Sequence, residues 1–315
     1  MVFNTANGRV NGERMNHVGY IDLIGPGEVE YKFSIDKLRI NFLKHPLKSL
    51  RRSGTKFFHK HSKIGKETIE NPGSWRVLDL LYGNEIEIHA NGDYEFSERE
   101  FVPKHWTDKI FYNSKASEAT RARFKHYVET MKQLGEEYAE SNNGRVNILS
   151  LASGPGRDVM EVAESLKRRG IDVYATCVDK DKGAMEIGSI IAMKKGLKGI
   201  TFKRCKIGKA HHYENGNFYD IVITQGIMDY LNDERGVDLL KNARNVSKEG
   251  GTVITSNMDV HRWMRFFMEV FGGWKLKYRN GKELEKIMIN AGYEKDKVNV
   301  YLLPEGYHWI GMGKK

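Results

Sequence analysis

The fold is decided by the stretch VNILSLASGPGRD, residues 146–158 of the 315-residue chain. Its apolar first half is typical of a strand that is buried on both faces of a sheet. Gly154 and Gly156 permit a tight turn after that strand, and a helical pattern follows from Gly156 to Arg169. The stretch therefore predicts a strand, a glycine-rich loop and a helix, which together open a βαβ unit.

The same alternation of strand and helix continues to the C-terminus. Apolar strands separated by helices indicate a parallel sheet with helices on both faces. Only three residues join the last two strands, so that pair must be antiparallel. We predict an α/β fold with a doubly wound, seven-stranded, mostly parallel sheet. The further strands are predicted at 172–179, 200–205, 218–224, 251–257, 298–304 and 308–314, and the further helices at 182–195, 233–247 and 282–291.

The first 112 residues have a different sequence pattern, with short strand-like segments and turn formers. Strand-like segments at 19–25, 27–35, 76–83 and 85–96 are accompanied by Gly-Asn and Asn-Gly turn formers. We predict a smaller, strand-rich or mixed N-terminal domain over 1–112. An amphipathic helical period with Ser114 or Ser117 as its cap predicts a linker at 113–145, before an α/β domain at 146–315.

Basic residues are concentrated near the N-terminus of a chain whose net charge is +10. Between Lys32 and Lys66 nine cations accompany a single acid, Asp36. Such a segment is typical either of a solvated basic face or of a surface that binds RNA phosphates. Both interpretations remain open at this point.

Cysteine count and hydropathy bear on where the protein works. Cys177 and Cys205 are too few for a disulfide framework in a chain of this length. The sequence contains no apolar run of about 18 residues that would span a membrane. We therefore expect a cytoplasmic protein. The histidines at 59, 61, 211 and 212 lack metal-ligand spacing, so no metal site is predicted.

The glycine-rich loop and an acid at the end of the second strand indicate the ligand. Glycines let the backbone approach a ligand, and a helix N-terminus offers unpaired N–H groups. Asp179 lies 23 residues beyond Gly156, where a carboxylate can accept hydrogen bonds from both ribose hydroxyls. Val159 stands where the dinucleotide pattern G-x-G-x-x-G has its third glycine. These residues predict an adenosine-containing ligand and argue against a nicotinamide cofactor.

The segments SLASGPGRD, CVDKD and YDIVITQGIMDYLND resemble class I S-adenosylmethionine-dependent methyltransferases. They are especially similar to a bacterial group known as 3-hydroxypalmitic acid methyl ester biosynthesis proteins. The resemblance covers about residues 114–315 and implies S-adenosylmethionine as cofactor. It favours O- or carboxyl-methylation of a small or lipid-like acceptor. The segments that carry it further are GIMDYL at 226–231, RFFME at 265–269, WKLKYR at 274–279 and the run from Leu284 to Gly292.

Carried over to this chain, the resemblance implies a set of cofactor contacts. The loop residues would contact the methionine part, Asp179 the ribose, and two residues after the fourth strand the reactive methyl group. The full set is Ala152, Ser153, Gly154, Gly156, Asp179, Gln225 and Gly226. Cys205-Lys206-Ile207 stands where many relatives have an acid for the adenine amino group, so the adenine contact is unassigned.

The acceptor side is predicted from residues after strand ends and before the last helix. Candidates for catalysis are Asp229, Tyr230 and His261, with His261 as the base. Candidates for holding the substrate are Arg262, Tyr278 and Arg279. Either arginine suits a bidentate contact to a substrate carboxylate.

Two other functions are compatible with the sequence. An RNA methyltransferase would bind its substrate through residues 32–66, although TQGIMD at 224–229 is unlike the segments common in enzymes that methylate base amines. A non-catalytic scaffold would bind the cofactor or have lost it. The intact Gly154, Gly156 and Asp179 argue against such a loss.

Overall fold

The computed structural model describes residues 9–10, 13–14, 21–22, 55–57, 59–71, 73–88, 96–208, 219–260, 265 and 275–315. The strands are β1 Arg9–Val10, β2 Glu13–Arg14, β3 Ile21–Asp22, β4 Asn84–Ile88, β5 Phe96–Glu100, β6 Arg145–Leu151, β7 Asp172–Asp179, β8 Ile200–Arg204, β9 Tyr219–Thr224, β10 Ser247–Met258, β11 Val298–Leu302 and β12 His308–Lys314. The helices are α1 Lys63–Glu70, α2 Trp75–Leu81, α3 Trp106–Tyr112, α4 Lys115–Ser141, α5 Arg157–Arg168, α6 Lys182–Lys194, α7 Asp233–Val246 and α8 Gly281–Asn290.

The chain divides into two compact units. Unit 1 comprises Met1–Glu28, Arg123–Asp259 and Lys277–Lys315, and unit 2 comprises Val29–Ala122 and Val260–Leu276. These bounds differ from the predicted domains at 1–112, 113–145 and 146–315. One reason is that β3, from the N-terminal segment, pairs with β8 in the sheet of unit 1.

Unit 1 is built on an eight-stranded sheet with the order β11-β12-β10-β9-β6-β7-β8-β3. The pairs from β10 through β3 are parallel, whereas β12 is antiparallel to both β10 and β11. The predicted doubly wound, mostly parallel sheet of seven strands is confirmed, including the antiparallel last pair. The short β3 adds an eighth strand at one edge.

The helices of unit 1 begin at capping residues that the sequence supplies. Asp181 accepts a hydrogen bond from the backbone of α6, and Asn232 does the same for α7. At α8, Asn280 and Glu283 form a capping box. Helices α7 and α8 then bury apolar side chains against the sheet in one continuous core, which fixes the strand ends where the site lies.

Unit 2 contains α1, α2 and α3 and a two-stranded antiparallel hairpin of β4 and β5. The hairpin confirms the strand pattern predicted at 85–96. The strand predicted at 76–83 is wrong, because Ser74 caps a helix there whose buried side chains include Trp75 and Leu80. The predicted strand at 27–35 lies outside the described residues.

Helix α4 confirms the helical period predicted at 117–139. Ser114 is its cap, since its hydroxyl oxygen accepts a hydrogen bond from the backbone of Ser117. Among the described residues, no helix combines the length and the apolar character needed to cross a membrane.

Candidate active site

The strand order reverses between β6 and β9, which are parallel neighbours in the middle of the sheet. From β6 the chain proceeds outward through β7 and β8, whereas β9 and β10 lie on the other side. In doubly wound sheets, ligands bind outside the carboxyl ends of the strands at such a switch point. Residues that follow β6, β7 and β9 therefore define the candidate site.

The loop after β6 contains a run of left-handed backbone conformations. Ala152 has φ 55°, Gly154 φ 53° and Gly156 φ 71°. For the alanine this conformation costs about 1–2 kcal/mol, and such strain is concentrated at functional sites. The loop ends at Gly156, the N-cap of α5. Because it is a glycine, no side chain accepts a capping hydrogen bond at the start of this helix. Strain and an uncapped helix start are the features expected of a ligand-binding loop.

Gly156 is a glycine for a packing reason as well. A Cβ there would lie 2.8 Å from Sγ of Cys177 and 3.4 Å from the ring of Phe202. Cys177 is fully buried, and burial raises the pKa of its thiol well above the usual value. The thiol is therefore a packing group on β7, and a side chain at position 156 would push α5 away from the sheet.

Asp179 ends β7 and lies against the loop. Its Oδ2 accepts a hydrogen bond from the amide of Gly154 at 2.9 Å, and Oδ1 accepts one from the amide of Asp181 at 3.0 Å. Burial raises the pKa of this carboxyl group, while the two amide hydrogen bonds lower it. The hydrogen bond from Gly154 brings the glycine-rich loop and Asp179 together, and the ribose contact of Asp179 stays a prediction. A carboxylate has lone pairs beyond these two bonds to accept ribose hydroxyls.

The turn after β9 contains Gln225 and Gly226. Gly226 has φ 77°, a conformation that favours glycine. The side-chain nitrogen Nε2 of Gln225 is buried and has no hydrogen-bond partner among the described residues. An orphaned buried donor is costly unless something accepts from it, so this amide suits a polar ligand at the switch point.

Asp229 lies in the 3-10 turn Met228–Tyr230 and is 3% exposed. Its Oδ1 accepts the amide of Met258 at 2.7 Å, and its Oδ2 lies 3.4 Å from Nη1 of Arg123. Burial raises the pKa of Asp229, and the charge of Arg123 lowers it. Both oxygens of Asp229 therefore have partners inside the protein, and its predicted catalytic role stays a prediction.

Arg279 does not hold a substrate carboxylate, contrary to the sequence prediction. It is 4% exposed, and every N–H of its guanidinium has an acceptor within the protein. Nε and Nη2 donate to Asp233, Nη1 donates to the carbonyl of Met228 and to Asn257, and Nη2 also donates to the carbonyl of Leu231. The arginine ties the turn after β9 to β10 and to the start of α7.

The structure describes only some of the other residues predicted on the acceptor side. Tyr230 is 42% exposed at the end of the 3-10 turn, and Tyr278 is half-buried before α8. His261 and Arg262 lie outside the described residues. Catalytic roles for Tyr230 and His261, and substrate contacts by Arg262 and Tyr278, stay predictions.

Two buried charges at this edge were missed by the sequence interpretation. Asp158 in the first turn of α5 is 5% exposed, and burial raises its pKa to about 6. Arg123 on α4 is 4% exposed. The signal for Arg123 was its spacing, because it lies one turn before the buried Tyr127 on the apolar face of the helix.

A family model described as a methyltransferase domain matches residues 142–292, which include the loop, Asp179 and the turn after β9. No curated protein matches the chain. Among solved structures, a possible exported protein from Bordetella parapertussis is similar with a TM-score of 0.61 at 15% identity, over 84% of this chain and 86% of that one. This likeness shows a shared fold.

Two further similar structures are enzymes by their names. A putative O-methyltransferase from Nostoc punctiforme has a TM-score of 0.45 at 16% identity, over 60% of each chain. Magnesium protoporphyrin IX methyltransferase from Synechocystis, with bound S-adenosylhomocysteine, has a TM-score of 0.47 at 13% identity, over 64% of this chain and 86% of that one.

The match bears out the predicted enzyme class, methyltransferase, for residues 142–292, and the sheet topology agrees with it. The cofactor S-adenosylmethionine stays a prediction. The bacterial group suggested by sequence resemblance stays a prediction. Residues 142–292 match the model of a methyltransferase domain, and they lie in a unit whose sheet is doubly wound.

Proposed function

We propose that unit 1 binds S-adenosylmethionine at the switch point and transfers its methyl group to an oxygen of a small or lipid-like acceptor. The observation that carries the proposal is the contact between Gly154 and Asp179, together with the orphaned amide of Gln225 at the same edge of the sheet. These groups combine a close-approach loop, a ribose acceptor and an unsatisfied donor at one sheet edge. The residues proposed to hold the cofactor are Ala152, Ser153, Gly154, Gly156, Asp179, Gln225 and Gly226.

Bound S-adenosylmethionine supplies an electrophilic methyl group on a sulfonium sulfur. The protein has to orient the cofactor, exclude water and bring the acceptor oxygen into line. Asp179 accepts from ribose hydroxyls, the loop backbone binds the methionine part, and Gln225 donates its Nε2 hydrogens. A protonated acceptor also needs a base, and His261 is the residue that we propose for it.

The oxygen acceptor is supported by the sequence resemblance and by the turn after β9. Thr224-Gln225-Gly226 stands where enzymes that methylate base amines commonly have an Asn-Pro-Pro or Asp-Pro-Pro segment. Tyr230, exposed in the same turn, is proposed to contact the acceptor.

Calorimetric titration with S-adenosylmethionine and S-adenosylhomocysteine tests the cofactor site. The wild-type protein is expected to bind both, and Asp179→Ala to weaken binding by about tenfold or more, since a charged hydrogen-bond acceptor is lost. Asp172→Ala is the matched control, because it removes an exposed carboxylate from the other end of β7. Equal affinities for the two variants would remove Asp179 from the site.

The acceptor is tested with methyl-labelled S-adenosylmethionine. Purified protein is incubated with separate lipid, small-metabolite and RNA fractions, and the labelled product is treated with mild base. Label in the lipid or metabolite fraction that base releases as methanol supports carboxyl-methylation, and base-stable label there supports an ether. Label confined to RNA would replace the proposed acceptor with the alternative that uses residues 32–66.

A further inference from the structure

Arg123 is a buried cation of unit 1 that none of the roles above uses. It lies on α4 one turn before Tyr127 and two turns before Met131, and both of these side chains are fully buried. Its guanidinium therefore projects from the apolar face of the helix. A cation is rarely buried to 4% exposure unless it is paired and hydrogen-bonded inside the protein.

The guanidinium packs against the turn after β9. A Cβ at Gly226 would lie 3.2 Å from Nη2 of Arg123 and 3.7 Å from its Cζ and Nη1. Gly226 also has φ 77°, so its conformation favours glycine and its surroundings leave little room for a larger residue. The guanidinium of Arg123 therefore faces the side of the turn on which a Gly226 side chain would lie.

The same guanidinium reaches the other end of this turn. Nη1 lies 3.4 Å from Oδ2 of Asp229, and Oδ1 of Asp229 accepts the amide of Met258 on β10. Burial and the charge of Arg123 lower the pKa of the neighbouring His308 well below its usual value, so this imidazole is neutral. Arg123 on α4 thus lies next to the 225–229 segment at two points, near Gly226 and at Asp229.

We propose that Arg123 is a positioning residue for methyl transfer. By supporting Gly226 and pairing with Asp229, it holds the turn in the shape that presents the Gln225 amide to the cofactor. The proposal rests on the proposed function, because the shape of the turn matters only where the turn binds S-adenosylmethionine.

The test compares Arg123→Lys with a matched cation exchange, Lys248→Arg. Lysine keeps a positive charge beside Asp229 but removes the planar group that supports Gly226. Lys248 pairs with the buried Asp220 at the amino end of β9, with Nζ 2.6 Å from Oδ1. Affinity for S-adenosylhomocysteine is measured by calorimetry, stability by thermal unfolding, and local order by hydrogen exchange of the 225–231 backbone amides.

Arg123→Lys is expected to weaken S-adenosylhomocysteine binding by about tenfold, the worth of one charge-assisted hydrogen bond, and to speed amide exchange at 225–231. Lys248→Arg is expected to leave both unchanged, even where it lowers the unfolding temperature. A second variant, Arg123→Met with Asp229→Asn, removes both buried charges and covers the case in which Arg123→Lys does not fold.

The outcomes separate the two proposals. Wild-type affinity and wild-type exchange in the Arg123 variants would overturn the positioning role while leaving the proposed function intact. A wild-type protein that binds no S-adenosylhomocysteine would overturn the proposed function and the positioning role with it.

Discussion

Asp220 lies at the amino end of β9, Asp229 lies in the turn beyond its carboxyl end, and both carboxylates are buried. Asp220 accepts from Nζ of Lys248 at 2.6 Å, from the amide of Asn147 at 2.7 Å and from Nδ2 of Asn142 at 2.8 Å. Asp229 has one short bond, to a backbone amide, and a longer contact of 3.4 Å to an arginine. The amino end is thus the more completely hydrogen-bonded of the two.

The difference extends to the rest of the two edges. At the carboxyl edge, Ala152 adopts a left-handed conformation, Gln225 keeps an orphaned amide, and burial raises the pKa of Asp158. Strain and perturbed carboxyl groups of this kind are concentrated at functional sites. Hydrogen bonds at the amino edge therefore stabilise the fold. The carboxyl edge retains unsatisfied groups with which a ligand can form hydrogen bonds.

The largest effect is expected from Asp220→Ala at the amino edge. The change leaves a cation and several donors without their acceptor, so the free energy of unfolding should fall by about 3–5 kcal/mol. Urea unfolding measures the loss. Because the proposed cofactor site lies at the other edge, S-adenosylhomocysteine affinity of the folded variant should stay at the wild-type value. A matching loss of affinity would mean that the two edges are not independent.

Gly156→Ala tests how closely α5 packs against β7 at the carboxyl edge. Left-handed strain and the clash with Cys177 should together cost about 2–4 kcal/mol. Gly170→Ala is the control, since Gly170 has φ 79° but no atom of the described residues within 4 Å of its Cβ position, and strain alone should cost about 1–2 kcal/mol. If urea unfolding gave the two variants equal losses of unfolding free energy, the contact between position 156 and Cys177 would not contribute to the cost.

The pH dependence of stability tests Asp158. Its pKa of about 6 in the folded protein exceeds the usual 3.8, so the folded state binds this proton more tightly than the unfolded chain. The contribution is therefore fully present below pH 3.8 and is lost as the pH rises through about 6. Burial outweighs the favourable helix N-terminus, which is worth only about 0.3–1 kcal/mol to a carboxylate.

Asp158→Asn should therefore stabilise the protein at pH 8 by about 2 kcal/mol and flatten its pH profile between 4 and 7. Urea unfolding across this pH range provides the measurement. Asp172→Asn, an exposed carboxylate on β7, should change neither. A profile for Asp158→Asn that keeps the wild-type slope would show that another group titrates there.

The smallest effect is expected from Tyr138→Phe, again at the amino edge. The Tyr138 hydroxyl donates to the carbonyl of Gly250 at 2.8 Å and lies 2.7 Å from Oγ1 of Thr252. Its loss should cost about 1 kcal/mol of unfolding free energy and no cofactor affinity. A change in S-adenosylhomocysteine affinity as large as that of Asp179→Ala would break the division between the edges.

Local features of the candidate site could be read from the sequence, but side-chain partners could not. The glycine loop and Asp179 follow directly after apolar strands, and parallel strands bring their carboxyl ends to one edge, so their contact was predictable. Arg279 was misassigned because its acceptors, including Asp233 and Asn257, come from separate parts of the chain. Spacing along the sequence does not reveal whether an arginine's donors are already satisfied.

The sequence by itself determined the strand and helix order, the doubly wound sheet, the switch-point loop and the acid at the end of β7. These depend on apolar periodicity and on glycines whose effects are local. Only the tertiary structure decided that β3 joins the sheet, that residues 75–81 form a helix, and that Arg123 lies beneath Gly226. Such outcomes depend on long-range packing, which sets burial and hydrogen-bond satisfaction after distant segments have come together.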